Sequence, residues 1–244
     1  MRDTELAEVA AFRDLEHGFP APGAFRRARD ALAIRFAGGP REFNRIVGLE
    51  TLEQLDELEP FFERGPFVVS LDPATGLEPA LLERGFTHAY PWQKFVREPA
   101  QVHSATELTI EPARRPDDFG TTAVRGSQIP AVFDGWAASL AGRPGWHCLV
   151  SYDGEAPVGT GALRVTGAVG WLGVGATLPE HRGRGSQSAL LAARISLAHE
   201  LGLRLLVTET GAPGDDGPGP SYRNILRAGF RAAYVRPNLA KGSP

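Results

Sequence analysis

The second half of the chain has the clearest alternation of apolar and polar positions. "ATELTIEPA" (105–113) reads as a strand. "PDDFGTTAVRGSQIPAVFDGWAASLAG" (116–142) reads as one or two helices with a break near Gly126 to Pro130. Residues 145–177 then give three strands. The turn signals Asp153-Gly154 and Thr166-Gly167 separate them, which predicts a meander of two hairpins. A helix over about 184–202 places Leu190, Leu191, Ile195, Ala198 and Leu201 on one face, and Gly202 ends it. "LRLLVTET" (203–210) is almost wholly apolar and reads as a buried strand. The loop "GAPGDDGPGP" follows. "SYRNILRAG" is a short helix with Ser221 expected as N-cap and Gly229 as stop, and "FRAAYVRP" is a strand.

The first half has a related pattern. After an amphipathic helix (about 4–17) come the strands "ALAIRFAGG" and "EFNRIVGL" and the helix "TLEQLDELEPFFERG". The strand "PFVVSL", the helix "GLEPALLERG" and the strand "FTHAYPWQKFV" complete it. From the paired strands onward, this is the element order of residues 157–236. "LLERGFTHAY" (81–90) also aligns without gaps on "ILRAGFRAAY" (225–234), matching Leu82 with Leu226, Gly85 with Gly229, Phe86 with Phe230, Ala89 with Ala233 and Tyr90 with Tyr234. Any helix–glycine–strand corner shares part of this pattern. The common element order favours a tandem duplication, with domains at 1–100 and 101–244 and a linker in "REPAQVHSAT".

Composition narrows the classes. Hydrophobic residues make up 42% and charged residues 23%, as in globular proteins. No apolar run approaches the roughly 20 residues of a membrane span. The start "MRDTELAEVAAF" has acids where a signal peptide has basic residues, and the lone Cys148 allows no internal disulfide, so a cytoplasmic location is expected. A net charge of −3 speaks against a nucleic-acid partner. The six histidines are scattered without metal-ligand spacing, so no metal is expected.

The chemistry concentrates in "TLPEHRGRGSQSALL". Alternating glycines ahead of a helix let backbone N–H groups turn towards one point. The helix N-terminus adds a partial positive charge, and Arg182 and Arg184 add full ones. This is a site for a phosphate or pyrophosphate. It is not a P-loop, which needs GxxxxGK[ST], nor a Rossmann fingerprint, since Gly183 and Gly185 lack the third glycine and the preceding strands are hairpin-linked. "GRGSQ" also fails the GxSxG of a nucleophile elbow.

Residues 106–236 resemble the GNAT N-acyltransferases in element order. The family's acyl-CoA motif, R/Q-x-x-G-x-G/A after a strand and a proline, reads here Arg182-x-x-Gly185-x-Gln187 after Pro179, with Gln187 where a small residue is usual. "SYRNILRAGF" resembles the family's second signature. The resemblance implies a mixed α+β fold, a mostly antiparallel twisted sheet flanked by helices, here in two tandem halves. It implies that the loop from Arg182, Gly183, Arg184, Gly185 and Ser186 to Gln187 cradles the CoA pyrophosphate. It further implies that Gly175, Ala176 and Thr177 offer backbone groups to the pantetheine arm, which Asn224 also faces.

Amide formation from a thioester needs a neutral amine, a polarised carbonyl and a protonated leaving thiol. The family commonly takes that proton from a tyrosine of the last helix, where this chain has Ile225. Ser221, one turn earlier, matches the serine some members use, and Tyr222 is a second candidate. Glu209, at the end of the strand 203–210, is the candidate base. His147 and Asp134 lie in segments that could line the acceptor side, and Cys148 reads as a core residue. The first half has "IVGLETLEQL" where the loop should be, with Glu50 and Glu53 at the helix start, and is expected to bind no CoA. A self-contained domain of this family has one more strand after 236, so the first half is expected to cover that edge. The expected activity is transfer from acetyl-CoA to a small-molecule amine by direct attack, in a monomer or homodimer. Two alternatives stay open: a protein or peptide acceptor, and a CoA-binding module without catalysis.

Overall fold

The computed structural model describes residues 2–20, 23–36 and 43–242. Along the chain run α1 (Arg2–Asp14), β1 (Gly23–Ala28), β2 (Ala31–Phe36), β3 (Arg45–Val47), α2 (Leu52–Leu58), β4 (Phe67–Ser70), α3 (Glu78–Glu83), β5 (Thr87–His88), β6 (Trp92–Arg97) and β7 (Thr109–Pro112). Then follow α4 (Pro116–Ser127), α5 (Asp134–Ala138), β8 (Trp146–Asp153), β9 (Ala156–Thr166), β10 (Val169–Thr177), α6 (Ser186–Glu200), β11 (Leu205–Gly211), α7 (Pro220–Arg227), β12 (Arg231–Arg236) and β13 (Asn238–Lys241).

These elements form two mixed sheets flanked by helices. One has the order β1-β2-β3-β4-β13-β5 and the other β12-β6-β11-β10-β9-β8-β7. Neighbours in the meander β7 to β10 are antiparallel, and β10 and β11 are parallel. In the first sheet β3 and β4 are the parallel pair, and β13 runs antiparallel to both β4 and β5. The residues gather into two compact units. One comprises Met1–Lys94, Thr210–Pro218 and Ala233–Pro244, the other Phe95–Glu209 and Gly219–Ala232. The units are discontinuous, whereas the sequence pattern predicts a single division near residue 100. No described helix is long and apolar enough to cross a membrane.

Each unit has its own core. In the first, Leu55, Leu58, Phe62, Phe67, Leu81 and Phe86 pack on the sheet. In the second, Leu191 and Ile195 of α6 and Ile225 of α7 pack against Phe95, Leu163, Leu172 and Leu206. The two aligned corners close identically. Gly85 (φ 84°) and Gly229 (φ 81°) take the left-handed backbone, and the next amide reaches back five residues, Phe86 to Leu81 at 3.1 Å and Phe230 to Ile225 at 3.3 Å.

Several expectations needed correction. β1 was not foreseen, because "GAFRRA" carries two arginines and no alternation. The helix expected over 51–65 is α2, opened by a Thr51–Gln54 capping box, and then a 3-10 turn, Glu59–Phe62; Pro60 in that turn has no N–H. Of the two early strands, residues 37–39 and 42 lie outside the described residues, and the second strand is only Arg45–Val47. "FTHAYPWQKFV" is two strands, β5 and β6, in different sheets, with Pro91 between them. The chain does have a strand after 236, but β13 joins the first sheet, while the place beside β12 in the second is taken by β6.

Candidate functional site

The site begins where two parallel strands part. β10 and β11 pair from Val169–Leu205 to Leu172–Thr208, and no further. Immediately beyond, β10 bulges: its register with β9 shifts between Gly173 and Ala176, and Val174 sits at φ 50°. A β-branched residue there is strained by about 1–3 kcal/mol and must be held. The Thr160 hydroxyl donates to the Val174 carbonyl at 3.1 Å. From below, the buried Arg194 of α6 donates to the carbonyls of Gly173 and Ala162, both at 3.2 Å, and to Leu190 at 2.9 Å. Burial pulls its pKa down to about 10, so it stays protonated at neutral pH. Gly161 makes the space, since a Cβ there would lie 2.7 Å from the Arg194 Cζ.

The glycine loop then turns the chain into α6. Gly183 and Gly185 both have φ 82°, a conformation that a side chain resists. Gly185 is the N-cap and offers no side chain, so nothing caps the first-turn amides of this 15-residue helix. An uncapped helix start behind two left-handed glycines is a place for an anion. The Ser186 side chain faces the other way, bonded to Ser151 Oγ at 2.7 Å, so Ser186 can offer an anion its amide but not its hydroxyl. Arg182 is exposed, and its guanidinium reaches the carbonyls of Thr177 and Gly126 at 3.4 Å.

A cleft of about 730 Å³ joins these features. It brings together Gly175, Ala176, Thr177, Arg182, Gly183, Gly185, Ser186, Gln187, Ser221 and Asn224. Three candidates are not among its lining residues. Arg184 forms an ion pair with Asp153 at the β8–β9 turn, which holds that carboxyl below its usual range. Tyr222 packs edge-on against Phe95, ring centroids 4.9 Å apart. Glu209 is half-buried, just past the last residue of β11 that pairs with β10. His147 and Asp134 do not line the cleft either. Burial pushes the Cys148 thiol up to about 12, which makes it a poor nucleophile. Among the described residues no group of three or more His, Cys, Asp or Glu is placed to hold a metal.

Ser221 is not the N-cap. Gly219 holds that position, Pro220 is the first helical residue, and Ser221 lies inside the first turn. Its Oγ accepts from Gln187 Nε2 at 3.0 Å. Gln187 Oε1 accepts from Asn224 Nδ2 at 2.6 Å, and Asn224 Oδ1 from Arg227 Nη1 at 2.7 Å. Sequence reasoning missed Arg227, along with Gly126 and His181, which also line the cleft. The signal for Arg227 was present: Ser221, Asn224 and Arg227 recur every three residues and share one helix face.

Residues 111–217 match the model of the acetyltransferase (GNAT) family. The chain carries a GNAT acetyltransferase domain. Its fold recurs in solved structures along nearly the whole chain. A GCN5-related N-acetyltransferase from Kribbella flavida superposes with a TM-score of 0.66 at 16% identity, over 98% of this chain and 96% of that one. One from Sphaerobacter thermophilus gives 0.60 at 17% identity, over 95% and 84%. A tandem GNAT protein from the clavulanic acid biosynthesis pathway gives 0.61 at 16% identity, over 98% and 88%. At these identities the likeness is one of fold. No curated protein matches the chain. In this GNAT domain the end of β10 beyond its bulge and the glycine-fronted helix border one cleft.

Proposed function

We propose that the chain is an acyl-CoA-dependent N-acyltransferase that takes acetyl-CoA and acylates a small-molecule amine by direct attack within a ternary complex. The observation that carries this reading is the uncapped, glycine-fronted start of α6, which shares one cleft with the end of β10 beyond its bulge. Amides 183–187 and Arg182 receive the pyrophosphate. The backbone of Gly175–Thr177, paired with β9 at Ala176 and Thr177 but past the last β11 partner, pairs on its other edge with the pantetheine arm, and Asn224 faces the same arm.

The amine nitrogen attacks the thioester carbonyl carbon, the C–S bond breaks, and the proton lost by the amine is finally carried by the thiol. Glu209 takes the amine proton through water and passes it to solvent. Ser221 donates its hydroxyl hydrogen to the departing sulfur and recovers one from solvent.

The first unit is read as binding no CoA. The N-terminus of α2 already carries the Thr51–Gln54 capping box and Glu53. Val9 of α1 lies over Gly48, where a Cβ would meet its Cγ2 at 3.1 Å. The space left there is about 50 Å³, and Glu5, Asp30, Glu50 and Asp72 border it. Acids at such a place repel a pyrophosphate.

Isothermal titration with CoA is the test. One site per chain is expected, abolished by Gly185→Ala and unaffected by Glu50→Gln; no binding at millimolar CoA would overturn the reading. Thiol release from acetyl-CoA, compared between a panel of small amines and a set of peptides, then separates the two acceptor classes.

A further inference from the structure

Four side chains stand in line beside the cleft: Arg227, Asn224, Gln187 and Ser221. Each carboxamide taken alone can be turned end for end with almost no change of shape. A guanidinium cannot, because all its polar hydrogens donate. Arg227 therefore demands the oxygen of Asn224, at 2.7 Å. That turns the Asn224 Nδ2 towards Gln187, which must present Oε1, at 2.6 Å. Gln187 is left with Nε2 facing Ser221, at 3.0 Å. Ser221 Oγ must accept. Among the described residues it has no other hydrogen-bond partner.

We infer that Gln187 is a positioning residue: held by Asn224 and Arg227, it makes Ser221 an acceptor on the α6 side and so keeps the one Ser221 hydroxyl hydrogen for a group in the cleft. This rests on the acyltransferase reading, in which that group is the sulfur leaving acetyl-CoA. It also accounts for the departure from the family motif. A small residue at 187 cannot span from α6 to α7, whereas the glutamine does, and it fixes the sense in which the serine donates. A glutamate would reverse that sense. Its carboxylate has no hydrogen to give, would still accept from Asn224, and would draw the Ser221 hydrogen to itself.

The test is a double-mutant cycle on the full chain. It reads CoA affinity by titration, and kcat at saturating acetyl-CoA with the best amine of a primary-amine panel. Ser221→Ala is expected to lower kcat on the order of 100-fold, the scale of a lost general acid. Gln187→Glu is expected to lower it comparably. The double variant should fall no more than about twofold below Ser221→Ala, because the two act through one hydrogen. Gln187→Ala, which installs the residue usual in the family and adds no charge, should cost less but likewise have no effect once Ser221 is gone. Retention of wild-type kcat by Gln187→Glu or by Ser221→Ala would overturn the inference and leave the acyltransferase reading standing. So would losses that multiply in the double variant. A wild-type chain that binds no CoA would overturn both. Should Gln187→Glu fail to fold, Gln187→Ala in the two backgrounds decides alone.

Discussion

Arg194 reaches the carbonyl of Gly173 from inside the core of the second unit, at 3.2 Å, and among the described residues its partners are carbonyls, with no carboxylate beside them. The helix that presents its N-terminus to the cleft thus also holds the bulge that opens the cleft. Arg194→Met fills similar volume but removes three hydrogen bonds to carbonyls. Stability should fall by about 3 kcal/mol, read by urea denaturation. CoA affinity of the folded variant should fall as well, because Val174 is no longer held at its positive φ. A variant that loses stability but binds CoA as tightly as the wild type would separate the two roles.

The two loop arginines should behave differently despite their symmetry in sequence. Arg182 lines the cleft, and Arg182→Ala should weaken CoA binding about tenfold, roughly the loss of one good charge-assisted contact. Arg184 is engaged by Asp153, so Arg184→Ala should change the affinity by less than about threefold, on the same scale. Titration of both variants at fixed ionic strength checks the contrast.

Stability in acid should report on a buried ion cluster in the first unit. Glu8 of α1 is fully buried and bonds both Lys94 and Arg236. Burial alone would raise its carboxyl, but the charges of Arg236 and Lys94 outweigh this and bring it from 4.5 down to about 2. A carboxyl depressed on folding stabilises the fold above its unfolded value and loses that contribution as the proton goes on. The loss should therefore run from pH 4.5 down to 2. Trp92, whose ring lies 6.0 Å from the Arg236 guanidinium, is the fluorescent reporter. Glu8→Gln should flatten this slope and cost about 3 kcal/mol near neutral pH, because it removes the buried carboxylate that Lys94 and Arg236 share, although Arg236 keeps Glu5 at 3.5 Å.

Cys148 gives a clean probe of opening in the second unit, since it is the chain's single cysteine. It is buried on β8, and its thiol lies at about 12. A disulfide reagent at pH 8 should label the native protein only at the rate of unfolding, and denaturant should make labelling immediate. Fast labelling of the native chain would contradict that burial.

Much of this architecture can be read from the chain, and the parts that cannot share a cause. The meander over 145–177, the glycine loop and α6 are legible because their turns and their helical face are local. So are the corners at Gly85 and Gly229, where a positive φ leaves glycine as the natural choice. The splitting of β5 from β6, and the existence of β13, depend on pairings between residues distant in sequence. A strand of four residues such as "NLAK" has no periodicity to speak for it. In the site, the loop was visible as a motif. The side chains that turn away from the cleft were not, because Arg184 and Ser186 differ from Arg182 and Gln187 only in partners supplied by other elements, Asp153 and Ser151. The Ser221 cap was misplaced by two residues, because Pro220 is itself a good first helical residue and moves the cap to Gly219.

Strand β13 also sets the order in which the molecule can be finished. It lies between β4 and β5, with Asn238 bonded to the side chain of Ser70, 168 positions earlier, and to the carbonyl of Tyr90. As the chain leaves the ribosome, β4 and β5 wait with bare edges through the synthesis of the whole GNAT domain. The unit begun first is completed last, and a fragment cut anywhere before residue 238 would keep an open slot in the middle of its sheet.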